Sequence, residues 1–238
     1  MILTATFATL LFVSLAIITL IDNLGTISNN YFSFKIITDK KNIKWYHNYK
    51  HDKKYSFYQS FFWLITIIIA LYFYGPSSYK ASLFIIFSHL LLILSVIDFK
   101  YQILPNILNF TLLIIGLLVN YFNIFISFSE AIIGAALGFL SLWSINFLFK
   151  VIRKKEGIGR GDFKLLAAIG AWTGYIYLPL IITMSAYVAL FFALIAAIFF
   201  KFELAKKMPF GPSIALAAFI SLILGEKIIN YYLIYGFH

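Results

Sequence analysis

Two aspartates, Asp98 and Asp162, are the residues of this 238-residue chain best suited to chemistry. Each stands at the end of a long apolar stretch, where an ionisable side chain is costly and marks a functional site by default. Two carboxyl groups held close together do not both ionise easily, so they share a proton near neutral pH. Such a pair can hydrolyse a peptide bond, because one carboxylate activates a water while the protonated partner polarises the scissile carbonyl.

Three glycines precede the second aspartate, at positions Gly157, Gly159 and Gly161. They remove side-chain bulk and permit unusual backbone angles, so an extended substrate could approach the backbone beside Asp162. We group these glycines with Lys164 as positions that form the active-site backbone or bind substrate. Because a helix N-terminus favours an ionised carboxyl, Asp162 is predicted to be the more acidic partner.

Other readings of these polar residues are less favoured. Asp162 alone could be an ordinary helix N-cap. The glycine spacing does not match G-x-G-x-x-G and follows no strand, which argues against a nucleotide loop. His47 and His51 have i, i+4 spacing but no further ligands nearby, so no metal site is predicted. His89 lies about 180° round the helix from Asp98 and is interpreted as a packing or hydrogen-bonding residue.

The composition indicates an integral membrane protein. Hydrophobic residues make up 62% of the chain and charged residues 12%, far from the balance of a soluble domain. A transmembrane helix needs about 20 apolar residues, and the apolar stretches allow about eight. The expected fold is an all-α polytopic bundle that forms a single membrane domain over residues 1–238. The chain has no cysteine, which excludes disulfides and thiolate zinc ligands.

Eight helices are predicted from these apolar stretches. The first, from Ile2 onward, lacks a basic n-region and a clear cleavage site, so it is interpreted as a retained helix. The fifth carries Gly134 and Gly138 at a four-residue spacing that lets helix backbones pack closely. The predicted ranges are 2–24, 57–74, 81–97, 107–122, 131–149, 162–174, 178–200 and 213–235.

The charge distribution sets the predicted orientation. The loop 27–56 is rich in lysine, and by the positive-inside rule it is cytoplasmic, which places both termini outside. This layout puts every Lys and Arg on one face except Lys80 and Lys227. Asp98 and Asp162 then lie at the same cytoplasmic boundary although they are 64 residues apart. The net charge of +10 follows from this topology, and no nucleic-acid partner is expected because the lysines flank helices.

The sequence around the two aspartates resembles the type IV prepilin leader peptidases, which are membrane aspartic proteases with a Gly-x-Gly-Asp motif. The run 156–172 follows the family's pattern almost throughout, and Asp98 followed by Leu104-Pro105-Asn106 is similar to its first motif. An acidic residue often stands in the family in place of Asn106. The segment 209–212 is similar to the one before the family's last helix. The resemblance covers roughly Ala81 to the C-terminus.

The resemblance implies a function, a partner and a location. The chain would cleave a short basic leader, after a glycine, from type IV prepilin or pseudopilin precursors at the cytoplasmic face of the bacterial inner membrane. Asp98 and Asp162 would be the catalytic pair, and proteolysis would need no cofactor. Many members also N-methylate the product with S-adenosylmethionine. This chain lacks the paired cysteines of the family's first loop, which leaves methylation open.

Two alternatives stay open. A proton-coupled or ion-coupled transporter could use the two aspartates as ion sites. Transporter carboxylates tend to lie near the bilayer midplane within broken helices, whereas both of these lie at helix ends. The second alternative keeps the aspartic chemistry but takes another membrane protein as substrate. The segment 209–212 and the residues after Asp162 favour the prepilin peptidases over it.

Overall fold

The computed structural model describes residues 53–75, 78–154, 157–200 and 208–235. The predicted first helix and most of the predicted loop 27–56 lie outside these ranges. The described regular structure is entirely helical. Its seven helices are α1 (Lys53–Tyr74), α2 (Tyr79–Tyr101), α3 (Asn106–Tyr121), α4 (Phe128–Arg153), α5 (Arg160–Thr173), α6 (Leu178–Phe200) and α7 (Gly211–Tyr235).

The seven observed helices begin and end within four residues of the second to eighth predicted ones. The all-α prediction is therefore confirmed for the described residues. Among the described residues, four helices are long and apolar enough to cross a membrane, namely Tyr79–Phe99, Phe128–Arg153, Leu178–Phe199 and Gly211–Tyr231. Helices α3 and α5 are shorter, with 16 and 14 residues. The total of eight spans and the side of the termini stay predictions.

Two compact units make up the chain, one ending at Ile85 and the other beginning at Ile86. The boundary falls inside α2. In the first unit, the rings of Tyr74 and Phe84 pack with their centroids 5.6 Å apart. Helix α1 is followed by Gly75, whose φ of 79° lies in the left-handed region that glycine adopts readily. The second unit holds both aspartates, and its packing is what positions them.

Helices α4 and α5 make the closest backbone contact in the second unit. A Cβ atom added to Gly134 or to Gly170 would overlap the backbone of the other residue. A Cβ on Gly138 would lie 2.5 Å from the carbonyl oxygen of Leu166. Small residues permit this approach, because only they let two helix backbones come so near. The prediction that Gly134 and Gly138 mediate close packing is confirmed.

Helices α3 and α5 run side by side from the same end of the unit. Their contact centres on Trp172, which is fully buried. Its indole Nε1 donates a hydrogen bond to the carbonyl oxygen of Leu112 at 2.8 Å, and its ring occupies the space left by Gly116. The ring of Phe87, from α2, lies 4.9 Å from it. Buried Trp tends to find such a partner for its N–H group.

The end of the unit where α3 finishes is closed by polar side chains. Asn120 donates through Nδ2 to the carbonyl oxygen of Ala171 at 2.8 Å, and its Oδ1 accepts from the backbone N–H groups of Phe125 and Ile126. Helix α4 then begins with a capping box between Ser127 and Glu130. We call this the capped end.

Candidate active site

Asp98 lies in the last turns of α2 and is only 5% exposed. Its Oδ2 accepts a hydrogen bond from the backbone N–H of Gly211 at 2.9 Å, across 113 residues of sequence. Gly211 is the first residue of α7, where backbone N–H groups have no partner within the helix. A Cβ on Gly211 would lie 2.6 Å from the same oxygen. Only a glycine therefore lets the start of α7 approach this carboxyl so closely.

Asp162 lies in the first turn of α5 and is 8% exposed. Burial raises the pKa of its carboxyl to about 7, and the negative charge of Asp98 adds to the rise, while a hydrogen bond from the backbone of Gly159 offsets part of it. The pKa of Asp162 is thus raised although the residue lies at a helix N-terminus, and the prediction that it is the more acidic partner of the pair stays a prediction. Desolvation outweighs the helix dipole at this position.

The two carboxyl groups thus belong to one electrostatic unit. The last turns of α2 and the first turns of α5 and α7 come together, and the charge on Asp98 acts on the titration of Asp162. The pKa values of interacting sites belong to the pair rather than to either residue. We call this the aspartate end. A buried pair of this kind can hold one proton near neutral pH, which is the state that acid and base catalysis needs.

The predicted glycines have close neighbours that explain their size. A Cβ on Gly157 would lie 2.7 Å from the ring of Phe149, and a Cβ on Gly161 would lie 2.8 Å from the Cβ of Leu104. Gly159 is the N-cap of α5, and a Cβ there would lie 3.0 Å from Oδ2 of Asp162. Of the three, Gly159 thus lies nearest to an aspartate carboxyl. A role of the glycines in substrate binding stays a prediction.

Lys164, the fourth predicted position of that group, bridges two helices. Its Nζ donates a hydrogen bond to Oδ1 of Asn106 at 2.7 Å, which ties the first turn of α3 to that of α5. Leu104, just before α3, contacts the neighbouring turn of α5 through Gly161. The segment that follows Asp98 and the residues on either side of Asp162 therefore meet at the aspartate end.

The sequence reasoning missed one polar residue, Asn146 of α4. It is buried, and its Oδ1 accepts hydrogen bonds from the backbone N–H groups of Gly157 and Ile158, both at 3.0 Å. A carboxamide within a mostly apolar helix is a usable signal, because polar side chains in such segments are expensive and need partners. Its partners could not be read from the sequence, since they lie in an irregular segment.

The same region bears on cofactor binding. Within the four described ranges, no three His, Asp or Glu side chains come together in a way that would hold a metal ion. Lys164 and Asn146 already have hydrogen-bond partners, which are Asn106 and the glycine segment.

Comparison with known proteins identifies the region that contains this site. Residues 84–194, which include both aspartates, match the model of the type IV leader peptidase family. A prepilin leader peptidase/N-methyltransferase of Pseudomonas aeruginosa is 45% identical over 143 residues, covering 60% of this chain and 49% of that protein. Its namesake from Dichelobacter nodosus is 39% identical over 164 residues, covering 69% of this chain and 55% of that protein.

A third relative with the same name, from Stutzerimonas stutzeri, is 41% identical over 156 residues and covers 66% of this chain and 54% of its own length. The chain thus spans about half the length of the curated relatives that it matches. No solved structure shows significant similarity to it. Over residues 84–194, this chain is therefore similar to the type IV leader peptidase family.

Proposed function

We propose that this chain is a membrane aspartic endopeptidase that removes the leader from type IV prepilin or pseudopilin precursors, with Asp98 and Asp162 as its catalytic pair. The observation that carries the proposal is the electrostatic unit formed by two buried carboxyls within the family-matched region. Relatives of that region are named prepilin leader peptidase/N-methyltransferases, which supports the substrate class.

The proposed reaction needs only the pair and a water molecule. The ionised carboxylate takes a proton from the water, whose oxygen attacks the scissile carbonyl carbon, while the protonated carboxyl gives its proton to the carbonyl oxygen. The tetrahedral intermediate then collapses. Its C–N bond breaks, and the leaving amine takes the proton that came from the water. The second carboxyl regains its proton from the intermediate, so one water is consumed and the pair returns to its singly protonated state.

Backbone groups around the pair fit this chemistry. The N–H of Gly211 stabilises the ionised form of Asp98 through its hydrogen bond. Burial favours the protonated form of Asp162. Asp98 is buried as well, and the backbone of Gly159 bonds to Asp162, so both carboxyls experience both influences and neither is singled out as the acid or the base. We assign the initial proton to the pair as a whole, since coupled sites titrate together.

The proposed location is the bacterial inner membrane, with the aspartate end at the cytoplasmic face. Four apolar helices support the membrane assignment. Lys164 of α5, together with Lys150 and Arg153 in the last turn of α4, supports a cytoplasmic orientation of the aspartate end through the positive-inside rule. A leader peptide would be cut where its apolar helix emerges from the lipid, and both aspartates lie at helix ends, the position that this cut requires.

N-methylation belongs to the proposal only as a question for experiment. The relatives carry it in their names, but about half of their length has no counterpart in the matched regions. S-adenosylmethionine would supply the methyl group if this activity is retained. The proteolytic steps above use only the aspartate pair and a water molecule.

A single experiment tests the proposal. The purified chain in detergent is incubated with a candidate prepilin, with and without S-adenosylmethionine, and the products are weighed by mass spectrometry. We expect the precursor to be cut once, after a glycine, whether or not the cofactor is present. An additional 14 Da would be about one methyl group and would reveal methylation separately. An intact precursor after prolonged incubation with folded protein would contradict the peptidase assignment.

A further inference from the structure

We infer that Asn146 of α4 is a positioning residue for the proposed reaction, acting on Asp162 through the glycine segment 157–159. The inference rests on the proposed function, because it concerns the geometry of one member of the catalytic pair. It begins from an arrangement in which one buried carboxamide oxygen accepts two consecutive backbone N–H groups, those of Gly157 and Ile158.

The two hydrogen bonds fix the position of the segment 157–159 that leads into α5. Both are 3.0 Å long, and they reach 11 and 12 residues forward from Asn146. The contact is reinforced by Phe149, one turn later on α4, because the backbone of Gly157 lies directly against its ring. The segment is therefore held on α4 by a polar and an apolar contact together.

From this segment the constraint passes to Asp162. Gly159 is the N-cap of α5, and its carbonyl oxygen accepts a hydrogen bond from the N–H of Asp162 at 3.1 Å. The α-carbon of Gly159 lies so close to the carboxyl that an added Cβ would be 3.0 Å from Oδ2. A displacement of the glycine segment would therefore move the cap, the first turn of α5 and the carboxyl with it.

Catalytic pairs are sensitive to such movement. A misplacement of about 1 Å, caused far from the chemistry, can lower the rate about 100-fold. Asn146 does not touch the reacting atoms in this arrangement, so its effect should appear in the chemical step and not in substrate binding. This distinguishes positioning from a contact with the leader peptide.

The chain contains a matched control at the capped end. Asn120 uses its Oδ1 in the same way, accepting from the consecutive N–H groups of Phe125 at 3.1 Å and Ile126 at 3.2 Å. It is fully buried and secures a turn between helices, but that turn leads to α4 at the end opposite the aspartates. Asn120 and Asn146 therefore share the contact of the carboxamide oxygen but differ in what their turns lead to, and Asn120 also donates to the carbonyl oxygen of Ala171.

The test compares three variants of the full chain in detergent: Asn146→Leu, Asn146→Asp and Asn120→Leu. Leucine removes the acceptor at similar volume, whereas aspartate keeps an oxygen that can accept both N–H groups. For Asn146→Leu we expect kcat to fall about 10-fold to 100-fold with KM within about twofold of the parent. Asn146→Asp should recover most of kcat, and Asn120→Leu should leave kcat of the folded fraction within about twofold while lowering Tm.

Equal kcat losses in Asn146→Leu and Asn120→Leu would overturn the inference, and so would a change confined to KM. A readout independent of activity separates this failure from that of the proposed function. Hydrogen exchange of the Gly157 and Ile158 amides should quicken at least about tenfold in Asn146→Leu and be unchanged in Asn120→Leu. If the amides respond in this way but the parent protein cuts no precursor, the proposed function fails, while the contact of Asn146 with the glycine segment stands. If exchange of the amides is unchanged, the inference about Asn146 fails.

Discussion

The capped end and the aspartate end of the second unit differ in the state of their polar side chains. At the capped end, Asn120 has both its carboxamide oxygen and its nitrogen in hydrogen bonds, and Ser127 and Glu130 satisfy each other across the start of α4. At the aspartate end, the carboxyl of Asp98 accepts a bond from Gly211, and Asp162 is buried with a raised pKa.

This difference separates residues that stabilise the fold from residues that take part in the reaction. A buried group whose hydrogen bonds are complete stabilises the fold and has little reason to react. Two buried carboxyls near each other are costly for the fold, and such cost is typical of catalytic sites. The comparison therefore assigns stability to the capped end and reactivity to the aspartate end, and changes at the two ends should affect different observables.

The largest effect is expected from removing either carboxyl. Asp98→Asn and Asp162→Asn should each reduce cleavage at least about 1,000-fold, because an amide can neither give nor take the proton that the pair exchanges. Both variants should still insert into membranes. The matched control is Glu226→Gln, an exposed carboxyl about 22 Å further along α7 from Gly211. A similar loss of cleavage in that control would remove the distinction between the two ends.

The next largest effect is expected at Gly211. Gly211→Ala keeps the N–H group but places a Cβ within 2.6 Å of Oδ2 of Asp98, so the carboxyl must move. We expect kcat to fall about 10-fold to 100-fold. Gly225→Ala is its counterpart on the same helix, since its Cβ would meet the ring of Tyr177 at 2.7 Å. That variant should lower Tm in detergent while kcat of the folded protein stays within about twofold.

A smaller effect on the cleavage rate is expected when the pH of the assay is changed. Cleavage needs one proton on the pair, and the pKa of Asp162 is raised from 3.8 to about 7. Rates measured between pH 5 and 9 should therefore fall as the pH rises through about 7, approaching about tenfold per pH unit. A rate that keeps rising up to pH 9 would contradict a shared proton.

The same shift predicts a pH dependence of stability. A carboxyl with a raised pKa in the folded state contributes stability that is fully present below about pH 4 and is lost as the pH rises through about 7. Thermal unfolding in detergent should therefore give a Tm that decreases from pH 5 to pH 8. This slope should be weaker in Asp162→Asn, which has no carboxyl to ionise. An equal slope in both proteins would assign it to other groups.

The smallest effect on chemistry is expected from the contact between α4 and α5. Gly170→Ala forces the two helices apart, because its Cβ would overlap the backbone of Gly134. Overpacking of this kind costs about 1–3 kcal/mol of stability. Chemical unfolding should show that loss, with kcat per folded molecule changed by less than the Gly211→Ala variant changes it.

Much of this architecture could be predicted from local patterns. Apolar length gives the helices, and the spacing of Gly134 and Gly138 gives their close contact, because both depend on neighbouring residues alone. Asp98 and Asp162 could be paired because the charge asymmetry suggested that they share a face. These features need no knowledge of how distant segments fold back.

The other features of the site depend on how distant segments of the chain fold back onto each other. The bond from Gly211 to Asp98 joins residues 113 apart, and no sequence pattern indicates which backbone N–H a carboxyl will meet. The role of Asn146 needs the irregular path of the segment 157–159. The raised pKa of Asp162 could not be predicted either, because a helix N-terminus is visible in the sequence, whereas the degree of burial that outweighs it is not.

The central claim, that Asp98 and Asp162 act as one unit, is tested most directly by single-turnover cleavage of a prepilin with Asp98→Asn, Asp162→Asn and the double variant. Residues that act together have non-additive effects, so the three proteins should show about the same residual rate. A single variant that retains cleavage near the parent rate, or losses that multiply in the double variant, would contradict the account.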